Sequence, residues 1–416
     1  MSEKRLMPEI RFYMFTKDWK QRKLGDLSDV KTGKAFSSAN FNDGGEYLVI
    51  TNKNIQDGTS GITPVGDRID ISEETTLNNY LLKGNNILVT MDGVNIGKTG
   101  KYSNEKAVLA QRVGRLNSEQ IEFIYQVTKN NKFISEMNKL SVGNAIKHIS
   151  LKQISDYSFA APINEEEQEK IGTFFKQLDD TIVLQQQLLN DHKQLKKAML
   201  QKMFPQKGES TPAVRFSGFT GEWKYQELIE FVGDSISDGD WIEKEHIHGL
   251  GEYRIIQTGN LGIGRYINKA SSAKYINQQS FNQLKANEIY PGDILISRLA
   301  DPAGRTIVLP YTSSRMVTAV DVAIIRPNNH FSVDFLVTRM NSIETLNEVS
   351  KQVSGTSHKR LSRKNLEKIK INIPNIDEQE KIGNFFKQLD ETINLQQKKL
   401  ESYQELKKAM LQKMFV

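Results

Sequence analysis

Hydrophobic and polar residues alternate at heptad spacing in two long stretches of the chain, residues 167–204 and 378–415. Neither stretch contains proline, and Leu, Gln, Lys, Glu and Met, which favour helices, fill most of both. Apolar side chains recur along two adjacent rows, a pattern typical of a long helix that packs against another helix. The side chains predicted to form this seam are Ile171, Phe175, Leu178, Ile182 and Leu189 in the first stretch and Ile382, Phe386, Leu389, Ile393 and Leu400 in the second.

The two stretches are copies of one another. Aligned without gaps at an offset of 211 residues, they are identical at 28 of 38 positions. An apolar stripe on a long helix needs a partner, and each copy can supply the partner for the other. The sequence therefore predicts two paired antiparallel helices, a coiled-coil spacer about 57 Å long at about 1.5 Å per residue. The alternative is two unrelated helices in solvent.

The segments that precede the two helices have mixed periodicity. The chain is expected to comprise a first globular domain over residues 1–161, a helix over 162–205, a second domain over 206–373 and a helix over 374–416. Each domain is predicted to be α+β. The predicted strands are Tyr47–Thr51, Asn86–Thr90, Tyr253–Gln257 and Asp293–Ser297, the predicted helices are Glu119–Lys129 and Phe331–Val349, and the predicted N-caps of short helices are Ser150 and Ser362.

The duplication extends beyond the helices. Residues 8–20 and 212–224 share the pattern P-x-[IV]-R-F-x-x-F-T-x-[DE]-W-K, and residues 143–150 match residues 355–362 just before each helix. Between these landmarks the two domains differ almost completely. The chain is therefore predicted to consist of two halves built alike, related by an internal pseudo-twofold duplication.

Composition narrows the classes of function. The chain has no cysteine, no apolar run long enough for a membrane span and no signal-peptide core at its N-terminus, so a cytoplasmic protein without a membrane partner is expected. The net charge is +6, and the basic surplus lies in the two domains, with 22 Lys and Arg against 18 Asp and Glu in residues 1–162 and 21 against 18 in residues 206–374. This distribution is compatible with nucleic-acid binding.

Catalytic and metal-binding patterns are weak. Gly93–Thr99 resembles a phosphate loop, but three residues separate its glycines where four are needed, so a turn between strands is predicted. Glu245–His248 lacks further metal ligands in the sequence, and no Asn-Pro-Pro-Tyr or Asp-Pro-Pro-Phe tetrad for amino-group methylation occurs. We therefore expect no catalytic residue and no metal site, and interpret the chain as a recognition protein.

Two diverged domains, each followed by the helix motif E-Q-x-K-I-G-x-F-F-x-x-L-D-x-x-I, closely resemble the specificity subunit of type I restriction-modification systems, HsdS, over essentially the full length. One departure is a residue inserted between Pro162 and Glu169, relative to Pro374 and Glu380. The resemblance implies two target-recognition domains that each read one half of a bipartite double-stranded DNA target. It also implies helices that set the spacing and bind two methyltransferase subunits (HsdM), and restriction/translocase subunits (HsdR) that join the assembly. No cofactor is expected in this chain, and S-adenosylmethionine, ATP and Mg are expected on the partner subunits.

Candidate DNA contacts follow from the duplication. Lys147 and His148 align with Lys359 and Arg360, and contacts that two different readers share are expected to go to phosphate, which is the same in every sequence. The other candidate phosphate contacts near the second of these sites are Arg363 and Lys364, and the candidate base contacts are Lys98, Arg112, Arg115, Arg298, Arg305 and Arg315. For each of them the alternative is a solvated surface charge.

Two other classes of function compete with this one. A coiled-coil protein-interaction scaffold without DNA specificity would have the same helices. A transcription regulator is disfavoured because no helix-turn-helix pattern stands out.

Overall fold

The computed structural model describes residues 6–55, 64–143, 147–299, 302–355 and 360–416. The chain divides into two compact units. The first comprises Met1–Leu188 with Gln396–Val416, and the second comprises Leu189–Leu395. Each unit therefore contains one globular domain together with a part of both long helices. No helix among the described residues is long and apolar enough to cross a membrane.

The domain of the first unit is built on a six-stranded sheet in the order β2-β7-β5-β6-β3-β4, beside a two-stranded β1-β8 ribbon. Its strands are β1 (Lys20–Lys23), β2 (Asp29–Thr32), β3 (Tyr47–Ile50), β4 (Arg68–Ile69), β5 (Leu81–Thr90), β6 (Thr99–Leu109), β7 (Val113–Asn117) and β8 (Ser158–Ala161). Its helices are α1 (Leu24–Leu27), α2 (Glu74–Tyr80), α3 (Ile121–Lys129), α4 (Asn131–Leu140) and α5 (Leu151–Ser155), and the first long helix is α6 (Glu165–Lys202).

The domain of the second unit has two four-stranded sheets, β10-β17-β14-β15 and β12-β11-β16-β13, and a β18-β9 ribbon. Its strands are β9 (Lys224–Glu227), β10 (Ile236–Asp238), β11 (Tyr253–Ile256), β12 (Lys274–Ile276), β13 (Glu288–Ile289), β14 (Ile294–Ser297), β15 (Thr306–Val308), β16 (Arg315–Thr318), β17 (Val322–Ile325) and β18 (Lys370–Ile373). Its helices are α7 (Leu228–Val232), α8 (Gln278–Leu284), α9 (Val333–Met340), α10 (Ile343–Gln352) and α11 (Arg363–Glu367), and the second long helix is α12 (Ile376–Met414).

The two domains share one strand order although their sequences have diverged. The six-stranded order of the first domain reappears in the second when β13 and β14 take the place of β5, and β15 and β16 take the place of β6. In both, the third strand pairs in parallel with its neighbour, Leu48 opposite Ala107 and Arg254 opposite Met316. Buried apolar strands therefore preserve a topology that alignment of the sequences does not reveal.

The predicted elements are found. The four predicted strands fall in β3, β5, β11 and β14, and the predicted helices correspond to α3 and to α9 with α10. Ser150 and Ser362 cap α5 and α11 by accepting hydrogen bonds from Gln153 N and Asn365 N. The phosphate-loop lookalike forms a turn between β5 and β6, as expected.

Both long helices bury their predicted seam. In the first unit the ring of Phe175, near the start of α6, lies 5.9 Å from that of Phe415, next to the end of α12. In the second unit Phe204, next to the end of α6, lies 5.9 Å from Phe386, near the start of α12. The helices therefore run antiparallel in each unit. Of the ten predicted seam residues nine are buried, and Ile393 is half-buried.

Lysines that interrupt the apolar rows have carboxylate partners on the other helix. Lys407 Nζ donates to Asp179 Oδ1 in the first unit, and Lys196 Nζ donates to Asp390 Oδ1 in the second. Both residues of each pair lie 211 positions from their counterparts in the other pair, so one register serves both units. Burial lowers the pKa of Lys407, while its hydrogen bond to Asp179 acts in the opposite direction.

The duplicated N-terminal motif of each half docks on the duplicated start of each helix. Arg11 donates from Nε and Nη2 to the two carboxylate oxygens of Glu167, at 2.6 and 2.7 Å, and Trp19 Nε1 donates to the same carboxylate at 3.2 Å. Arg215 forms the same paired contact with Glu378, at 2.7 Å for both bonds. Glu167 and Glu378 are 1% and 0% exposed, so each carboxylate is buried and paired with a guanidinium.

The glutamine that follows each of these carboxylates fixes the entry of the chain into the helix. Gln168 Nε2 donates to Pro162 O at 2.9 Å, and Gln379 Nε2 donates to Pro374 O at 3.0 Å. The extra residue of the first copy is thus accommodated without loss of the contact. Gly383 follows on α12, where an added Cβ would lie 2.6 Å from Phe335 N, so only glycine allows α9 to approach this closely.

Candidate nucleic-acid interface

A pair of backbone hydrogen bonds holds the basic segment that precedes α5 in the first domain, and an equivalent pair holds the segment that precedes α11 in the second. We call each of these segments the basic approach. His148 and Val142 exchange hydrogen bonds of 2.8 and 3.0 Å, and Arg360 and Ser354 do so at 2.9 and 3.1 Å. Lys147 and His148 are exposed, and Arg360 keeps 44% of its side chain exposed. Each backbone pair therefore holds a basic residue whose side chain is at least partly exposed. The predicted contact Lys359 lies outside the described residues.

In the first domain this approach lies against a loop with a charged cluster. The backbones of His148 and Asp92 form an isolated antiparallel β-bridge. The carboxylate of Asp92 accepts a hydrogen bond from Asn52 Nδ2 and lies 3.2 Å from Arg112 Nη1. Asp92 is 9% exposed at its side chain, whereas Arg112 is 62% exposed. The backbone of Arg112 has φ 65°, a left-handed conformation that is uncommon outside glycine and often marks functional sites.

The second domain holds a different cluster at the corresponding place. Arg360 Nε pairs with Asp321 Oδ1 at 2.8 Å, and Arg298 Nη2 pairs with Asp238 Oδ1 at 3.0 Å. Arg363 Nε binds Glu367 Oε1 at 2.6 Å, and its Nη1 lies 3.8 Å from Asp238 Oδ2. Arg360 and Arg363 are about half exposed, so both keep donors at the surface. Lys364, the remaining candidate of this group, is exposed in α11.

Arg298 is enclosed by the protein. It is 5% exposed, pairs with Asp238 and donates to Val320 O, and burial lowers the pKa of its guanidinium. In this structure the side chain joins β10, β14 and the turn before β17. A base contact by Arg298 stays a prediction, and it requires the side chain to leave this environment.

Backbone hydrogen bonds reveal equivalent positions that the sequence does not. Thr90 N donates to Lys98 O at 2.9 Å and Gly97 N donates to Thr90 O at 2.9 Å, with Gly97 at φ 79°. The second domain has the same two bonds, at 2.8 and 2.7 Å, and its glycine donor, Gly304, has φ 88°. In these two bonds Ser297 N donates to Arg305 O, and Gly304 N donates to Ser297 O. Lys98 and Arg305 therefore occupy one shared position.

The positions beside this loop differ between the domains. Met91 N donates to Arg112 O at 3.1 Å, and Arg298 N donates to Asp321 O at 2.8 Å. Arg298 thus takes the place of Met91, and Asp321 takes the place of Arg112. The two domains therefore have equivalent backbone positions here, but the side chains at these positions differ in charge.

Two of the candidate arginines have neighbours inside their own sheets. Arg115 in β7 is half-buried and donates from Nη1 to Leu81 O at 3.4 Å, and burial lowers its pKa. Arg315 in β16 holds both carboxylate oxygens of Glu288 and lies 4.3 Å from the centre of the Tyr253 ring. The hydrogen bond from Arg315 lowers the pKa of Glu288. Both arginines stabilise strands here, and their DNA contacts remain predictions.

The histidine pair of the second domain has local roles. His246 Nδ1 lies 2.9 Å from Ser280 Oγ, and His248 exchanges backbone hydrogen bonds with Tyr275. Within the part of the chain that the structure describes, no group of three or more His, Asp or Glu side chains is placed to hold a metal ion.

Comparisons with known proteins bear on both halves of the chain. A family profile described as "Type I restriction modification DNA specificity domain" matches residues 16–193 and 221–404. The MjaVIII specificity subunit of a type I restriction enzyme from Methanocaldococcus jannaschii is 22% identical over 409 residues, covering 95% of this chain and 91% of that protein. The putative MjaX specificity subunit from the same organism is 24% identical over 414 residues, with 95% and 92% covered.

The fold is also found in a solved structure. The type I restriction-modification S subunit from M. genitalium matches with a TM-score of 0.64 at 17% identity, and the match covers 99% of both chains. The α+β fold class predicted from the sequence is thereby confirmed. Because the family profile covers each domain together with most of the helix that follows it, the chain belongs to the family of type I restriction-modification DNA specificity subunits.

Proposed function

We propose that each domain reads one half of a bipartite double-stranded DNA target, and that the two long helices set the distance between the halves. The helices also bind two methyltransferase subunits, and restriction/translocase subunits complete the assembly. S-adenosylmethionine, ATP and Mg act on those partner subunits, and this chain contributes recognition without catalysis.

The main support for this proposal is that the two domains share one backbone arrangement and carry different side chains at equivalent positions. The strand order and the closed loops are shared, whereas Met91 and Arg112 are replaced by Arg298 and Asp321. DNA has the same arrangement: a phosphate backbone that is alike everywhere and base edges that differ. A shared frame with exchanged side chains fits two readers of different sequences.

The same reasoning assigns roles to individual residues. Lys98 and Arg305 share one position, so they are better suited to phosphate than to bases, and this changes the expectation from sequence. The exposed basic approach, with Lys147 in the first domain and Arg360 in the second, adds further phosphate contacts. Arg112 is mostly exposed and bonds Asp92 through Nη1, which leaves other donors of the fork to read a guanine edge.

The helices suit the spacing role. α6 has 38 residues and α12 has 39, so each is about 57 Å long at 1.5 Å per residue. Equivalent faces of a DNA duplex recur about every 34 Å. A strut of this length can place two readers on one face of a duplex with unread base pairs between them.

Exchange of one domain tests the proposal. Residues 1–161 are replaced by the matching segment of another specificity subunit, and the methylated motif is read by long-read sequencing of host DNA. We expect one half of the motif to change while the other half and the spacer length stay the same. The reciprocal exchange of residues 206–373 is the matched control and should change only the other half.

If both halves changed together, or the spacer did, the division of roles would be wrong. An interaction scaffold without DNA specificity predicts that neither exchange alters any methylated motif.

A further inference from the structure

A cavity of about 290 Å³ lies in the second domain beside β11 and β12. Its lining includes Arg254, Lys269 and Lys274, together with the short helical turn Thr258–Asn260. No Asp or Glu is among the described residues that line it. The cavity is therefore lined by three cations without a balancing carboxylate.

Arg254 is the unusual member of this set. Its side chain lies in β11 and is 8% exposed, yet its Nε and Nη2 atoms have no hydrogen-bond partner among the described residues. The guanidinium lies 5.9 Å from the centre of the Tyr266 ring, a contact that supplies no acceptor. A buried charge is strongly destabilising unless it is paired, so these two donors are available to an anion in the cavity.

A second cation lies beside the same cavity. A Cβ added to Gly259 would lie 2.8 Å from Lys269 Nζ, so the ammonium lies close to the helical turn. Lys269 and Lys274 are both exposed and line the same cavity. Lys274 lies opposite Ile255 in the β11–β12 pair, so its side chain leaves the sheet on the face away from Arg254. The buried guanidinium of Arg254 and the ammonium of Lys269 together form a donor set suited to phosphate oxygens.

The first domain lacks this donor set. Leu48 occupies the position of Arg254, since each is the second residue of its strand and follows a tyrosine that lies opposite an isoleucine of the next strand. Leu48 is 5% exposed and packs in the apolar core of the sheet. The frame is thus stable with an apolar residue here, and the arginine is a specific addition to the second domain.

We propose that this cavity binds a phosphate group, with Arg254 as the buried anchor and Lys269 closing over it. The group comes either from the backbone of bound DNA or from free inorganic phosphate. Only the DNA source rests on the proposed function, because the donor set itself is independent of it. One phosphate contact of this kind would raise the affinity of the second domain for DNA of any sequence.

The first experiment titrates inorganic phosphate into the full-length chain in chloride buffer and measures the heat of binding. The variants are Arg254→Leu, which installs the residue of the first domain, and Lys269→Gln, which alters only an exposed side chain. Lys370→Gln, an exposed lysine in β18, is the control. If free phosphate is the ligand, each cavity variant should bind it at least about tenfold more weakly, the value of one charge-assisted hydrogen bond, while the control is unchanged.

The second experiment measures binding of the same proteins to a duplex that carries the host's methylated motif, at several salt concentrations. If a DNA phosphate is the occupant, each cavity variant should lower the slope of log K against log salt by about 0.9, and Lys370→Gln should not. A response in either experiment supports the cavity as a phosphate site and identifies the source.

The proposal is overturned if Arg254→Leu and Lys269→Gln both match the wild type in both experiments. A wild-type chain that binds every duplex alike would contradict the proposed DNA specificity. The phosphate titration and the salt slope would still decide the cavity.

Discussion

The start of each long helix depends on a single buried carboxylate. Glu378 is fully buried and holds the guanidinium of Arg215 through two hydrogen bonds, and Glu167 does the same with Arg11. Removal of one partner from a buried ion pair leaves the other charge without compensation, which costs far more than the loss of a surface pair. The two halves of the chain therefore keep the same Arg and Glu at these positions because the start of each helix requires the pair.

Glu378→Gln should lower the free energy of unfolding by about 3–5 kcal/mol, because the guanidinium of Arg215 stays buried without its counter-charge. Urea denaturation of the full-length chain measures this. Glu348→Gln is the matched control, since Glu348 pairs with Lys351 at an exposed site and should cost less than about 1 kcal/mol. Equal effects of the two changes would show that the buried pair has no special role.

The shared and exchanged positions at the interface should behave differently in DNA binding. Lys98→Ala and Arg305→Ala should each weaken binding to all duplexes alike and lower the salt slope by about 0.9, because each removes a proposed phosphate contact. Arg112→Ala should instead reduce discrimination at one base pair by about 1–3 kcal/mol. Titration of specific and scrambled duplexes at several salt concentrations separates the two effects. Loss of sequence preference in Lys98→Ala or Arg305→Ala, with an unchanged slope, would reverse these assignments.

At the scale of elements, the long helices combine an apolar seam with polar pairs that fix its register. Phe175 and Phe386 lie at the two ends of the seam, and each meets a phenylalanine next to the end of the other helix. The Asp179–Lys407 pair would be lost if one helix slipped by a turn, since its partners would separate by about 5 Å. Apolar contacts supply the stability, and the ion pairs select one alignment.

The double variant Leu178→Asp, Ile182→Asp should unfold the helix pair, because both side chains are more than nine-tenths buried and a buried carboxylate costs several kcal/mol. Helix content and the melting temperature, followed by circular dichroism, measure the effect. The control is Val183→Asp, Leu184→Asp on the same turn of α6, where the side chains are 40% and 64% exposed. A normal melting temperature for the seam variant would refute the pairing.

At the scale of the whole molecule, neither half of the sequence contains all of one unit. The first unit includes Gln396–Val416 from the second half, and the second unit includes Leu189–Lys202 from the first half. In the first unit, Phe415 packs on Phe123 and Phe175 and closes the core of that domain. The end of each long helix is therefore part of the domain encoded by the other half of the chain.

Two fragments, residues 1–205 and 206–416, should form a one-to-one complex when they are produced together, because each supplies the helix end that the other's domain lacks. Size-exclusion chromatography with light scattering measures the assembly. Phe415→Asp in the second fragment should weaken it, whereas Leu395→Asp, at a half-exposed site of α12, should not. Fragments that remain separate and fully folded would show that the shared helix ends are dispensable.

The sequence by itself determined the elements whose signal is local or repeated. Heptad spacing, one offset of 211 residues and serine caps specify the two helices, their pairing and the short helices before them, because side-chain periodicity and capping depend on residues near in sequence. The family, too, could be identified from the duplicated motifs. The roles of Arg11 and Arg215 were not visible, since their carboxylate partners lie 156 and 163 residues away.

Only the tertiary structure decided which polar residues stand at equivalent places in the two domains. Lys98 and Arg305 are matched by backbone hydrogen bonds to the strand before each loop, and backbone bonds do not depend on the identity of the side chain, so no sequence pattern records the match. Burial likewise separates Arg298 and Arg254 from the exposed Arg112, although each of the three is followed by an apolar residue in the sequence. Exposure depends on which strands meet in space, and that is set by contacts distant along the chain.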